Sequence, residues 1–336
     1  MTGGVMTRAD DAAGDLQAVA DALHADERFL LTTHESPDGD ALGSLLAMQS
    51  MLTQLGKDSV MYLAEKEFPL PVEYRFMPLA EVFHDPPADV VDRTLVFLDC
   101  GNIDRTPEGF LRSGDAHVVN IDHHHDNTRF GTINLVDVSA SSTAEIVYGL
   151  AKVLGAEVTP EIAKALYVGL VTDTGRFSYQ NTDASTHRIA AELIEAGVDV
   201  DDTYRRLYER VPIEKLRLVA RALDKIERHD DCRLALTYIS AQDYADTGAE
   251  EVFTEGIIDH VRSLEGTAVA AVVRDRGEGS STARKVSLRS TDGHTDVSAI
   301  ARSHGGGGHP RAAGFSTDLT YEEIVEALCG ELRAPA

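Results

Sequence analysis

Tryptophan is absent from the 336 residues, and cysteine occurs only three times, as Cys100, Cys232 and Cys329, never as a C-x-x-C pair. That usage argues against a disulfide framework and a thiolate metal site, and for a reducing cytoplasm. No apolar run reaches bilayer-spanning length, and the N-terminus lacks the apolar core of a secretory signal. The expected location is therefore cytoplasmic, with no membrane partner. Basic residues are also scarce: 31 Lys and Arg face 56 Asp and Glu, a formal net charge of −25. Such a chain has no basic face for long nucleic acid, whose binding rests on releasing counterions from many phosphates. Adaptation to salt would give the same acidity, so the charge alone names no function. An anionic substrate would need positive charge concentrated locally, from metal ions or a confined patch. One patch exists: between Arg262 and Arg311, eight Arg or Lys stand against five Asp or Glu.

What is present is enough for packed cores. Hydrophobic residues make up 43% of a chain whose length favours two domains. The first half alternates short apolar runs at 29–33, 59–63, 94–98 and 118–121 with helical patterns, the signature of a parallel α/β sheet. Leu42, Leu45, Leu46, Met48, Met51, Leu52 and Leu55 recur at helical spacing. Ser142-Thr143-Ala144-Glu145 is a capping-box pattern, and Thr159-Pro160-Glu161 opens another helix. Residues 200–230 are charged and helical in pattern, and read as a connector. A second series of strands (234–239, 268–273, 285–288) and helices (256–264, 297–302, 321–332) follows. The resulting division is a loose tail at 1–14, a larger α/β domain at 15–199, the helical connector at 200–230 and a smaller α/β domain at 231–336.

The stretch "HESPDGDALG", His34 to Gly43, follows the first strand with one histidine and two aspartates around a Pro and a Gly. An ordinary turn and helix cap would explain Pro37-Asp38-Gly39-Asp40 alone. The later strands, however, end in Asp99 and in Asp122-His123-His124-His125. Open α/β sheets build their sites at the carboxyl ends of strands. So many carboxylates at one sheet edge repel unless cations neutralise them. Imidazole and carboxylate without thiolate suit Mn²⁺, Co²⁺ or Zn²⁺ better than Ca²⁺, and the ligands outnumber what one metal needs. The chain shows no G-x-S-x-G, no catalytic-cysteine signature and no G-x-x-x-x-G-K-[ST] phosphate loop. Gly305-Gly306-Gly307-Gly308-His309, inside the second α/β series, can bring backbone N–H groups close to a phosphate.

These residues resemble a known family. His34-Glu35-Ser36-Pro37-Asp38-Gly39-Asp40, Asp99, Asp122-His123-His124 and Val171-Thr172-Asp173-Thr174-Gly175-Arg176-Phe177 are similar to the four motifs of the DHH phosphoesterases. The glycine run followed by Ala312-Ala313-Gly314 resembles the DHH-associated C-terminal domain, and Ser141 to Glu145 resembles its oligoribonuclease and 3′-phosphoadenosine 5′-phosphate (pAp) phosphatase subfamily. The resemblance implies an active site in an interdomain cleft and two divalent metal ions, Mn²⁺ by preference. One ion would be held by His34, Asp38 and Asp99; the second by Asp40, Asp99, His123 and Asp173. Asp122 would orient His123, and His124 would face the scissile phosphate, the two histidines pointing opposite ways. His125 receives no role and reads as an exposed loop residue. His309, Gly306, Gly307, Gly308, Arg289 and Ser290 would contact substrate, with Arg105 and Arg176 as weaker candidates. The implied activity is hydrolysis of short oligoribonucleotides to mononucleotides and of pAp to AMP. The implied partners are short oligoribonucleotides and small nucleotides, not long nucleic acid, and a homodimer is allowed. Competing readings are a soluble cyclic di-AMP or linear dinucleotide phosphodiesterase, a manganese pyrophosphatase, whose second domain lacks the glycine loop, and a non-catalytic nucleotide-binding module.

Overall fold

Runs of four or five residues rich in Leu, Val, Ile and Phe form the parallel strands β1 (Arg28–Thr32), β2 (Asp58–Met61), β3 (Thr94–Leu98), β4 (Val118–Asp122) and β5 (Ile133–Val136) of a computed structural model. The structure describes residues 8–106, 108–112, 117–277 and 280–333. The sheet order is β2-β1-β3-β4-β5, every pairing parallel. Helices α1 (Arg8–Ala25), α2 (Gly39–Gln54), α3 (Thr143–Leu154), α4 (Pro160–Asp173), α5 (Ala184–Glu195) and α6 (Val200–Tyr208) accompany it. The helix α1 begins at Arg8, so the second half of the expected tail, residues 8–14, is helical; residues 1–7 lie outside the described set.

The side chains of Leu31, Val96, Leu98, Val119 and Ile121 share one large core with α2, α3 and α4. The other face buries Leu30, Tyr62, Leu95 and Phe97 against Leu111 and Cys100. The helix α2 is buried along most of its length, because Gly39, Gly43 and Gly169 let α2 and α4 approach closely. A Cβ on Gly43 would stand 2.3 Å from the Ala165 carbonyl oxygen, and one on Gly169 would stand 2.8 Å from Asp40 Oδ1. Helix packing and the placement of Asp40 are therefore one geometric problem.

The chain divides into two compact units between Arg210 and Val211. The expected connector is thereby split: α6 belongs to the first unit and α7 (Ile213–Asp224) to the second. The second unit holds the mixed sheet β10-β11-β9-β8-β7-β6, formed by β6 (Glu227–His229), β7 (Leu234–Ile239), β8 (Val269–Asp275), β9 (Arg284–Ser290), β10 (Gly307–His309) and β11 (Ala312–Thr317). Helices α8 (Ala241–Thr247), α9 (Ile257–Arg262), α10 (Val297–Ser303) and α11 (Tyr321–Arg333) complete it. Leu236, Ala271, Val273, Val286, Leu288 and Phe315 build its core with α10 and α11.

Two expectations need correction here. Cys232 and Cys329 form a disulfide that ties α11 to the start of β7 across a separation of 97 residues. A count of three without C-x-x-C did not exclude a long-range bridge, and the cysteine argument for a reducing compartment falls with it. The glycine run is also not all loop: Gly307 to His309 is a strand paired antiparallel to β11.

Glycine-to-alanine changes should separate packing from propensity. Gly43→Ala should cost about 1–3 kcal/mol by overpacking the α2–α4 crossing. Gly149→Ala, inside α3 with nothing within 4 Å of its added Cβ, should stabilise by roughly 0.5–1 kcal/mol. Denaturant unfolding of both variants checks this; equal effects of one sign would contradict the packing.

Candidate metal centre

The site is assembled at the carboxyl ends of β1, β3 and β4 and the last turn of α4. His34 leaves β1 two residues past its end and is buried, at 5% exposure. Its Nδ1 donates to the Glu35 carbonyl at 2.7 Å, which aims Nε2 at Asp99 Oδ2, 3.5 Å away. Asp38 is the N-cap of α2; its Oδ1 accepts from the Asp40 and Ala41 amides at 3.0 and 3.1 Å. That cap fixes one carboxylate oxygen and starts the helix at the same time.

Asp99 is 2% exposed and takes a φ of +59°, a left-handed conformation that a residue with a side chain rarely adopts. The turn out of β3 puts its carboxylate among three histidines. Oδ1 lies 3.6 Å from His123 Nε2 and 3.5 Å from His124 Nδ1 and accepts from the Thr143 hydroxyl at 3.0 Å. Asp40, fully buried, is held by the N-terminus of α3: the Thr143 amide donates to Oδ2 at 2.7 Å and the Ala144 amide to Oδ1 at 2.9 Å. The free N–H groups of a helix start favour negative charge there. The capping box at α3 differs slightly from expectation. Ser142 accepts from the Glu145 amide, but the Glu145 carboxylate reaches back to Ser141. His123 Nε2 faces Asp173 Oδ2 at 3.5 Å and Asp40 Oδ2 at 4.0 Å.

Ligand atoms of His34, Asp38 and Asp99 lie within 4.8 Å of one another, as do those of Asp40, His123 and Asp173, and of Asp99, His123 and His124. One imidazole with two carboxylates in each of the first two groups, with no sulfur, fits divalent cations of intermediate hardness. The electrostatics point the same way. Burial first, then Asp99 and Asp173, pushes the Asp40 carboxyl well above its usual range. Burial, with Asp38 and Asp99, raises Asp173 to about 7. Burial pulls His123 down, but Asp173, Asp99 and Asp40 outweigh it and raise it to about 9. Asp99 goes the other way despite burial, because the His34 bond and the charges of His124 and His123 favour its anion. Without cations, this cluster stays together by keeping protons.

One assignment is overturned. Asp122 does not orient His123; its Oδ1 bonds His124 Nδ1 at 2.7 Å. The strand ends at Asp122, so alternation no longer separates the two histidines, and their rings sit 4.9 Å apart edge to face. The His124 bond and charge lower Asp122 against its burial, and Asp122 in turn raises His124. The expected exposed loop position of His125 agrees with its place in the structure. Sequence reasoning missed the groups that hold the ligands: Thr143, Asn127, which donates to Asp122 Oδ2, and Asn181, which donates to Asp173 Oδ2 at 3.2 Å. Nothing in local composition marks an isolated loop asparagine as a support for a carboxylate five or eight residues away. Arg105 Nη2 sits 3.3 Å from His34 Nδ1, while Arg176 lies over the Tyr208 ring.

In the second unit, strand pairing sorts the expected substrate residues. Arg289 pairs with Ala312, Ala312 with His309 and Gly314 with Gly307, so Arg289, His309 and Gly307 share one sheet face. Ser290, one residue on, faces the core at 6% exposure, which removes it from the expected set. Gly306 and Gly308 are demanded by packing, since an added Cβ would stand 2.1 Å from the Gly314 oxygen or 2.5 Å from the Ala312 oxygen. Gly307 alone of the three has open space.

Asp40, Asp173 and His123 all bind protons more tightly here than in the unfolded chain, so the stability they contribute is lost as pH rises through their folded values. The melting temperature of chelated protein should therefore fall from pH 5 to pH 9. Asp173→Asn should flatten the fall, and added Mn²⁺ should remove it. Thermal melts in which neither the substitution nor the metal alters the slope would contradict the cluster.

Comparison with known proteins agrees with this architecture. Residues 28–170 match the DHH family N-terminal domain, and residues 236–334 the DHHA1 domain. The chain is 36% identical over 328 residues to the bifunctional oligoribonuclease and PAP phosphatase NrnA of Thermus thermophilus, covering 94% of each chain. It is 24% identical to the protein of the same name from Bacillus subtilis, over 91% of this chain and 96% of that one. An exopolyphosphatase-related protein from Bacteroides fragilis superposes with a TM-score of 0.86 at 25% identity, covering 95% and 96% of the two chains. With its strand-end histidines and aspartates and its glycine-rich second unit, the chain belongs to the DHH family of phosphoesterases, in the form that carries a DHHA1 domain.

Proposed function

We propose that the protein is a two-metal, Mn²⁺-dependent phosphoesterase that hydrolyses short oligoribonucleotides to mononucleotides and pAp to AMP, in the cytoplasm. The observation that carries this reading is the pair of ligand groups, His34 with Asp38 and Asp99, and His123 with Asp40 and Asp173, Asp99 standing within 3.6 Å of both histidines that aim Nε2 inward. The relatives' named activities supply the substrate class.

Bound divalent cations in such a site lower the pKa of a shared water and neutralise charge on the phosphate. The chain's own residues do the rest. The α3 amides and the Thr143 hydroxyl fix the carboxylate planes of Asp40 and Asp99 before anything binds. His124 faces Asp99 through Nδ1, and that nitrogen is already bonded to Asp122. It is thus a poorer metal ligand through that nitrogen than His123, and His124 would serve as the proton donor to the leaving oxygen. Asp122 accepts from His124 and favours the protonated ring against its burial. Asp99 would thus hold the cations, while Asp122 positions His124. In the second unit His309 and Arg289 present an imidazole and a guanidinium on one face, where Gly307 leaves open space, a set suited to a terminal phosphate.

Chelation should abolish pAp and dinucleotide hydrolysis, and Mn²⁺ should restore it. His124→Ala should keep its metal and lose turnover by a factor on the order of 10²–10⁴, whereas His123→Ala should lose metal first. Elemental analysis showing equal metal loss in both would refute the division of labour.

Arg289→Ala and His309→Ala should raise KM for pAp and dinucleotides about ten- to hundredfold, as for a lost charge-assisted hydrogen bond, with metal content unchanged. Gly307→Ala should do the same without loss of stability, while Gly306→Ala should destabilise the second unit. Steady-state kinetics beside thermal melts decide it; normal KM in all three variants would remove this face from substrate binding.

A further inference from the structure

The same sheet face continues past Arg289. Along β9, alternate residues Arg289, Ser287 and Lys285 lie on one side of the sheet, opposite the core side chains of Val286 and Leu288. Over β7 and β8 this side is closed: Thr237, Ala270 and Val272 are buried, and α9 packs against β8, with smaller contacts to β9 and β7. On β9, β11 and β10 it is open, with Lys285 and Ser287 partly exposed and Ser316, the β11 partner of Lys285, fully so.

Lys285 is placed among its own kind. Its β8 partner is Arg274, and Arg276 follows two residues later on the same side. Arg274 bonds the Thr254 hydroxyl and lies 3.7 Å from Glu251, and Arg276 bonds the Thr282 hydroxyl. Among the described residues, none gives Lys285 a hydrogen bond or an ion pair. Burial, with Arg274 and Arg276, lowers its pKa, opposed by Glu251 and Glu255 at longer range. In a chain of net charge −25, a half-buried lysine beside two arginines without a contacting carboxylate is an arrangement that an external anion would stabilise. Lys285 stands four residues, about 13 Å, from Arg289 along the strand, in line with Gly307 and His309. A nucleotide held at Arg289 by a single linkage does not reach it; a chain of several nucleotides does.

We propose that Lys285, with Ser287 and Ser316 beside it, is a second backbone-phosphate subsite that engages oligoribonucleotides longer than a dinucleotide. The inference rests on the proposed oligoribonuclease reading and gives the second unit a ruler for length: pAp and dinucleotides use the Arg289 end alone, and longer substrates add Lys285.

The test compares full-length, Mn²⁺-loaded wild type with Lys285→Gln and Lys285→Arg on a dinucleotide and a pentanucleotide of the same base. Lys285→Gln should lower kcat/KM for the pentanucleotide on the order of tenfold and leave the dinucleotide unchanged; Lys285→Arg should restore most of the loss. The dependence of log K on log salt for the pentanucleotide should become shallower by about 0.7 in Lys285→Gln, as for one lost phosphate contact on a single strand. Equal losses on both substrates, or none on either, overturn the subsite. Should wild type cleave neither RNA, the proposed function falls, but fluorescence anisotropy with a labelled pentanucleotide still decides the subsite: tighter binding by wild type than by Lys285→Gln supports it, and equal affinities overturn it.

Discussion

Four carboxylates, Asp38, Asp40, Asp99 and Asp173, are folded into one mostly buried space, and the rest of the first unit is arranged around keeping them there. Like charges so close and so dry are tolerated only with cations or protons between them. Burial and the neighbouring carboxylates accordingly raise the pKa values of Asp40 and Asp173, and the carboxylates raise that of His123 against its burial. The fold meets the constraint with three devices: β1, β3 and β4 end side by side, α3 aims its first amides at Asp40, and glycines bring α2 against α4. Each device is a backbone feature, so the site's geometry is set by the scaffold and not by mobile side chains.

Much of this was legible in the sequence because parallel sheets deliver their strand ends to one edge. His34, Asp38, Asp40, Asp99 and His123 stood out where apolar runs stop, whereas Asp173, at the end of a helix, was marked only by the resemblance to the DHH motifs; the structure brings the six together. The expectation that Asp122 orients His123 came from the resemblance alone; alternation puts Asp122 and His124, two residues apart, on one side, and that is the pair that forms. At Ser290 alternation holds along β9 and turns the side chain to the core side of the sheet. The strands β10 and β11 were hidden by glycine and alanine, which carry no strand signal of their own and form a ladder here through tertiary pairing. Cys232 and Cys329, far apart in sequence, offered no local pattern. Asn127, Asn181 and Thr143 are supports chosen by three-dimensional proximity, which no period encodes.

The two units divide the physical work. The first concentrates carboxylates and imidazoles that could hold cations; the second keeps a few basic side chains on one sheet face, which under the proposed function would meet the anionic substrate. A chain of net charge −25 gains selectivity from this contrast, because long polyanions are repelled by most of its surface while a short one finds its contacts in one place. Glycine serves two ends on that face: Gly306 and Gly308 let the β10–β11 hairpin close, and Gly307 leaves room above it.

The central claim is that Asp99 joins two metal sites, and counting metals tests it most directly. Elemental analysis of Mn²⁺-equilibrated protein after desalting should give two ions per chain in the wild type, about one in Asp40→Asn, which damages a single ligand group, and close to none in Asp99→Asn. Two ions retained by Asp99→Asn, or a single ion in the wild type, would contradict the account.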